Sequence, residues 1–216
     1  MNNPSATRIL AHRGHWKDEF DYEGLAKNSL EAIGRAAELG FGLETDLRDF
    51  RGEIIISHDP ALNIDLNFAD VLGFDLLGLV AFNIKADGLA PMISSLVDIA
   101  RPQFEYFFFD MSIPEMQRYA SHNLPLADRM SEIEDSSGSN RSYVWLDSFK
   151  TEWYIQVSEW LRLSKGKKVI VVSPELHGRP YWQSWEWMAN QMNLHTNLYL
   201  CTDYPLQFLS YWESAS

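Results

Sequence analysis

Short apolar runs recur along the 216 residues, nearly every one closing on a polar or charged side chain and all but the fifth followed by a segment of helical character. The runs are Arg8 to Ala11, Gly42 to Arg48, Leu79 to Lys85, Glu105 to Phe109, Pro125 to Arg129, Ser142 to Leu146, Lys168 to Ser173 and Asn197 to Thr202. Strands alternating with helices pair in parallel, because each crossover needs the length that a helix supplies. Eight such units predict a closed (β/α)8 TIM barrel with its active site at the C-terminal ends of the strands. An open doubly wound sheet would call for a Gly-rich phosphate loop after the first strand, and His12-Arg13-Gly14-His15 is not one. With 46% hydrophobic and 13% aromatic residues, one core suffices, and residues 1–216 are expected to form a single domain.

The connections carry local signals. Asn28 is expected to cap a helix that runs to Gly40, with Glu31 as its capping-box partner. Arg51-Gly52 predicts a hairpin turn into Glu53 to Ser57, and Asn67 to Gly73 a short helix. Longer helices are expected over Ala90 to Ala100, from Pro114, over Thr151 to Leu163, over Tyr181 to Met192 and from Pro205 to Tyr211. The tryptophans between Trp182 and Trp187 fit a helix packed on the barrel. Asp135 to Asn140 reads as a flexible loop.

A net charge of −12 and a pI near 4.8 argue against nucleic acid and against anionic membrane surfaces as partners. The one basic cluster, Lys165 to Lys168, is short and reads as a helix end. A lone Cys201 excludes an internal disulfide framework. With Met1 to Ala6 polar and no run of ~18 apolar residues, neither a signal peptide nor stable membrane anchoring is expected, and the expected compartment is the cytoplasm. The oligomeric state is left open.

The candidate chemistry collects at the strand ends. Glu44 and Asp46 alternate with Leu43, Thr45 and Leu47, so the two carboxylates share one strand face. Joined by an oxygen or amide ligand from the next strand, they would suit Mg²⁺ or Ca²⁺; the plainer alternative is an ion pair with Arg13 or Arg48. His12 and His58 are the candidate acid and base, since imidazole exchanges protons near neutrality. Arg13 and Lys85 could hold an anion. His15 reads as a loop contact, and His122, His177 and His195 as structural. Asp110, Glu132, Glu134, Asp147, Glu175 and Asp203 also fall at strand ends, some of them as expected helix N-caps.

Taken together, His12-Arg13-Gly14, Asn28-Ser29, Glu44-Thr45-Asp46, His58-Asp59 and Asn83-Ile84-Lys85 resemble the glycerophosphodiester phosphodiesterase family of TIM-barrel enzymes. The resemblance covers roughly the first 85 residues in detail. It implies a small-molecule phosphodiester substrate, a divalent metal (Mg²⁺ or Ca²⁺) on Glu44 and Asp46, acid–base roles for His12 and His58, and phosphate contacts from Arg13 and Lys85. The chain departs from the family pattern at Lys27, where a Glu is usual, and at Asn83, which replaces a Glu as third metal ligand and would coordinate through its amide oxygen. His58 and Asn83 lie only 25 positions apart, without the insertion usual in the family. Two rival expectations follow: a non-catalytic barrel that binds a phosphate ligand, or a phospholipase-type enzyme of the same barrel family.

Overall fold

A computed structural model of the chain describes residues 3–17, 24–135, 140–156 and 166–215. The strands are β1 (Ile9–His12), β2 (Gly42–Phe50), β3 (Glu53–Ile56), β4 (Val80–Ile84), β5 (Tyr106–Phe109), β6 (Ala127–Met130), β7 (Tyr143–Leu146), β8 (Lys168–Val172) and β9 (Leu198–Thr202). Their order is β5-β4-β2-β1-β9-β8-β7-β6, with β3 paired to β2 alone. Every pair along that path is parallel. The two ends of the path meet where the Phe108 N–H donates to the Pro125 carbonyl at 2.9 Å, beside a parallel bridge from Phe108 to Leu126. Eight parallel strands therefore form a nearly closed barrel, a TIM barrel as the rhythm of the sequence predicts.

The β2–β3 hairpin turns on two residues, Arg51 and Gly52, both at positive φ (51° and 86°). Such a pair matches the right-handed twist of the strands it joins. The fifth run begins its strand two residues later than expected. Pro125 has no N–H to give a ladder, and its carbonyl makes the seam instead.

Helices α1 (Leu30–Glu38), α2 (Phe68–Leu72), α3 (Ala90–Ala100), α4 (Ile113–Ser121), α5 (Trp153–Gln156), α6 (Trp182–Leu194) and α7 (Pro205–Ser214) occupy the connections. Of the helix expected over Thr151 to Leu163, residues 157–165 lie outside the described residues, as do 136–139 of the loop before β7. One expected cap is corrected. Ser29, not Asn28, caps α1, its side chain accepting from the Ala32 N–H at 3.1 Å. Asn28 takes the left-handed conformation (φ 61°), which turns its amide toward the barrel mouth. Of the strand-end acids, some of which are expected as caps, Asp110 is not the cap of α4, which is Ser112.

Alternation sorts every strand. Leu10, Ala81, Phe107, Phe109, Ala127, Trp145, Ile170, Val172, Tyr199 and Cys201 fill the barrel interior, while Ile9, Leu43, Val80, Phe82, Phe108, Val144, Val169, Val171 and Leu200 face the helices. One register step beyond Leu10 and Ala81 the inward positions turn polar, at His12 and Asn83, with Glu44 and Asp46 beside them on β2. The interior is thus sealed by apolar layers below and opens onto charge above. On α6, Trp185 is fully buried and donates to the Ser173 hydroxyl at 2.9 Å, whereas Trp182 is half exposed. The tryptophan run is therefore only partly core.

Candidate active site

A cavity of about 270 Å³ opens at the C-terminal ends of the strands, lined on one side by His12, Arg13, Glu44, Asn83 and Lys85. Its other side carries Phe109, Asp110, Arg129, Glu134, Trp145, Asp147, Phe149 and His177. Each group arrives by strand alternation or by the turn that ends a strand. After β1 the chain makes a tight turn with Arg13 and Gly14 at φ 60° and 86°. A Cβ on Gly14 would lie 2.7 Å from the Ala32 carbonyl carbon, so only glycine lets α1 approach this closely. The Arg13 N–H then donates to the Glu44 carbonyl at 2.8 Å and lies 3.2 Å from Glu44 Oε2.

His12 is gripped on one side. Its Nδ1 lies 2.6 Å from Asp203 Oδ1, and its Nε2 is left 3.8 Å from Glu44 Oε2. With Nδ1–H donated to Asp203, Nε2 is the ring atom available to the cavity. Burial pushes the Asp203 carboxyl up, but the hydrogen bond and charge of His12 and the Lys27 ammonium outweigh it, and the net direction is down. Glu175 supports this arm by accepting from the Asp203 N–H at 3.2 Å and from the Thr202 and Ser173 hydroxyls.

The paired carboxylates differ in their surroundings. Glu44 is pushed up to about 7, first by burial and then by the charge of Asp46, with His12, Arg13 and Lys85 opposing. Asp46, fully buried, has Arg13 Nε at 3.0 Å and accepts from Asn28 Nδ2 at 2.8 Å, while Lys85 Nζ lies 3.4 Å from its other oxygen. The Thr45 hydroxyl fixes Asn28 from behind at 2.8 Å. Ion pairing of Asp46 with Arg13, one of the alternatives read from sequence, is thus present. At this site two buried oxygens nevertheless accept no hydrogen bond among the described residues, Asp46 Oδ1 and Asn83 Oδ1. They belong to residues paired in register across β2 and β4. Among the described residues no group of three His, Cys, Asp or Glu could hold a metal ion, so the oxygen set here is two carboxylates and one amide. Asp110 and Glu132 add nothing to it: Asp110 pairs with Arg129 at 2.5 Å and with Lys85 at 3.4 Å, and Glu132 accepts from the backbone of residues 149–151.

His58 stands apart. It lines a neighbouring cavity of about 440 Å³ with Lys27, Asn28, Ser57 and Asp59, and its Nδ1 lies 2.9 Å from Asp59. Arg13 lines both cavities. His15, read as a loop contact, lies in the turn after β1, fully buried and edge-on to Phe41. His122 and His195 end α4 and α6. His177, read as structural, lies in the main cavity with Nε2 2.7 Å from Asp147 Oδ1. Arg129, Asp147 and His177 line the cavity and Asp203 holds His12 from behind it, yet sequence reasoning gave none of the four a part in the chemistry, although all but His177 close a strand.

Fold and charge placement define an α/β barrel whose polar centre lies at the C-terminal mouth. Compared with solved structures, the chain is similar to the crystal structure of the glycerophosphodiester phosphodiesterase from Agrobacterium tumefaciens str. C58, with a TM-score of 0.71 and 15% identity over 96% of this chain and 99% of that one. At that identity the likeness is one of fold, and the neighbour belongs to the family that the motif set resembles. No family model matches the sequence, and no curated protein matches it. Among the described residues no helix is long and apolar enough to cross a membrane.

Proposed function

We propose that the chain is a phosphodiesterase, a phosphoric diester hydrolase acting on a glycerophosphodiester or a similar small phosphodiester. The observation that carries this is the His12 imidazole, fixed through Nδ1 by Asp203 and facing a cavity that also presents Arg13, Lys85 and Arg129. All three are ion-paired with Asp46, Asp110 or Glu134, and Arg in particular suits the paired oxygens of a phosphodiester. His12 Nε2 takes the proton of the attacking hydroxyl, from water or from a neighbouring alcohol of the substrate. In the second case a cyclic phosphate forms first and is then hydrolysed. Asp203 holds the ring in one tautomer and stabilises the imidazolium as it forms. A second group must protonate the departing alkoxide, and His58 is the candidate read from sequence.

Glu44, Asp46 and Asn83 fit a hard divalent cation, Mg²⁺ or Ca²⁺. All three offer oxygen, and among the described residues neither Asn83 Oδ1 nor Asp46 Oδ1 accepts a hydrogen bond, Asp46 Oδ1 facing only the Lys85 ammonium at 3.4 Å. Such a cation, when bound, neutralises charge on the phosphate and lowers the pKa of a coordinated hydroxyl. One observation favours the binding-barrel reading instead: Arg13 and Lys85 already neutralise Asp46.

Cleavage of bis(p-nitrophenyl) phosphate with Mg²⁺, with Ca²⁺ and with chelator separates the two. The phosphodiesterase reading expects chelator-sensitive release of nitrophenol that Glu44→Ala and His12→Ala abolish. Ligand-dependent stabilisation without product would support the binding barrel.

A further inference from the structure

Two histidines line the main cavity, each held by an aspartate, His12 through Nδ1 and His177 through Nε2. Asp203, at the end of β9, grips His12 on the adjacent β1; Asp147, at the end of β7, grips His177 just beyond the adjacent β8. Asp147 is itself placed by its N–H, which donates to the Met130 carbonyl at 2.7 Å. His177 ends the turn Pro174–His177, which Gly178 closes at φ 69°. Its ring packs against Phe149 at 5.1 Å, and its Nδ1 makes no hydrogen bond among the described residues. His58 has neither support: its side chain is 41% exposed, its partner Asp59 is 87% exposed, and it lines the other cavity.

Resting on the phosphodiesterase reading, we propose that His177 is the acid that protonates the leaving group, with Asp147 as its positioning residue. The attacking oxygen bonds to phosphorus as its proton passes to His12 Nε2. The bond from phosphorus to the departing oxygen breaks, its electron pair leaves on that oxygen, and the Nδ1–H of the His177 imidazolium supplies the proton. His177 ends neutral and His12 protonated, and exchange with solvent restores both.

An acid matters in proportion to how poorly the group leaves. Nitrophenolate departs unaided, whereas the alkoxide of a glycerophosphodiester needs its proton. The test compares both substrates, bis(p-nitrophenyl) phosphate and glycerophosphocholine, in the full chain carrying His177→Gln, Asp147→Asn or His58→Gln, with melting curves to verify folding. His177→Gln is expected to lose ~10²–10⁴-fold in kcat on glycerophosphocholine and less than about tenfold on the aryl diester. Asp147→Asn should show the same selectivity, more weakly. Equal losses on the two substrates, no loss, or selectivity that appears in His58→Gln instead would overturn the assignment. If His177→Gln does not fold, Asp147→Asn decides by the same criterion. A wild-type chain that cleaves neither substrate overturns the phosphodiesterase reading, and this assignment with it.

Discussion

Asp203 and His12 are 191 positions apart, yet their contact is among the shortest hydrogen bonds in the cavity. Asp203→Asn keeps the shape but withdraws the charge that holds and stabilises the ring, so steady-state kinetics should show kcat falling by ~10²–10⁴ with KM changed far less. A mutant with wild-type kcat would show that the contact is structural only. Gly14 gives a stability counterpart. At φ 86° and with Ala32 backbone in the way, Gly14→Ala should cost about 1–3 kcal/mol in urea unfolding. At this scale legibility divides by range. His12, Glu44, Asp46 and Asn83 follow from strand alternation, a local rule that reads directly from sequence. The pairings of His12 with Asp203 and of His177 with Asp147 are set by which strands the barrel makes neighbours, and no spacing in the sequence carries that.

Among the connecting elements, Glu132 shows how a strand-end acid can serve structure. It accepts the N–H groups of Phe149, Lys150 and Thr151 ahead of α5, and although burial would raise its pKa, those bonds bring it down to about 2. A carboxyl depressed in the folded state contributes stability above its ordinary value of 4.5 and loses it as pH falls toward 2. Urea midpoints measured from pH 5 to pH 2 should therefore fall less steeply in Glu132→Gln than in the parent chain, and parallel slopes would contradict this. The helix α1 start was legible as a region but not to the residue. Asn28 and Ser29 are both good caps, and Asn28 is drawn off by the buried Asp46, a demand that only the assembled barrel makes.

For the molecule as a whole, barrel closure creates the charge problem at the mouth, where Glu44 and Asp46 converge among His12, Arg13 and Lys85. If the oxygen set holds a cation, Mg²⁺ or Ca²⁺ should raise Tm in the parent chain, and Asn83→Glu, by adding a carboxylate, should lower the cation concentration needed. Cation-independent melting in both would contradict a metal site. The barrel itself was plain in the sequence because eight apolar runs, nearly all with helical connections, repeat one rule. The rest of the site was not, because it depends on side chains from both halves of the chain meeting around a cavity. The most direct test of the central claim is phosphorus NMR of glycerophosphocholine incubated with the chain in the presence of Mg²⁺ or Ca²⁺. A phosphomonoester or cyclic phosphate signal that appears with the parent chain and not with His12→Ala is the predicted result; an unchanged diester, or turnover that survives His12→Ala, would contradict it.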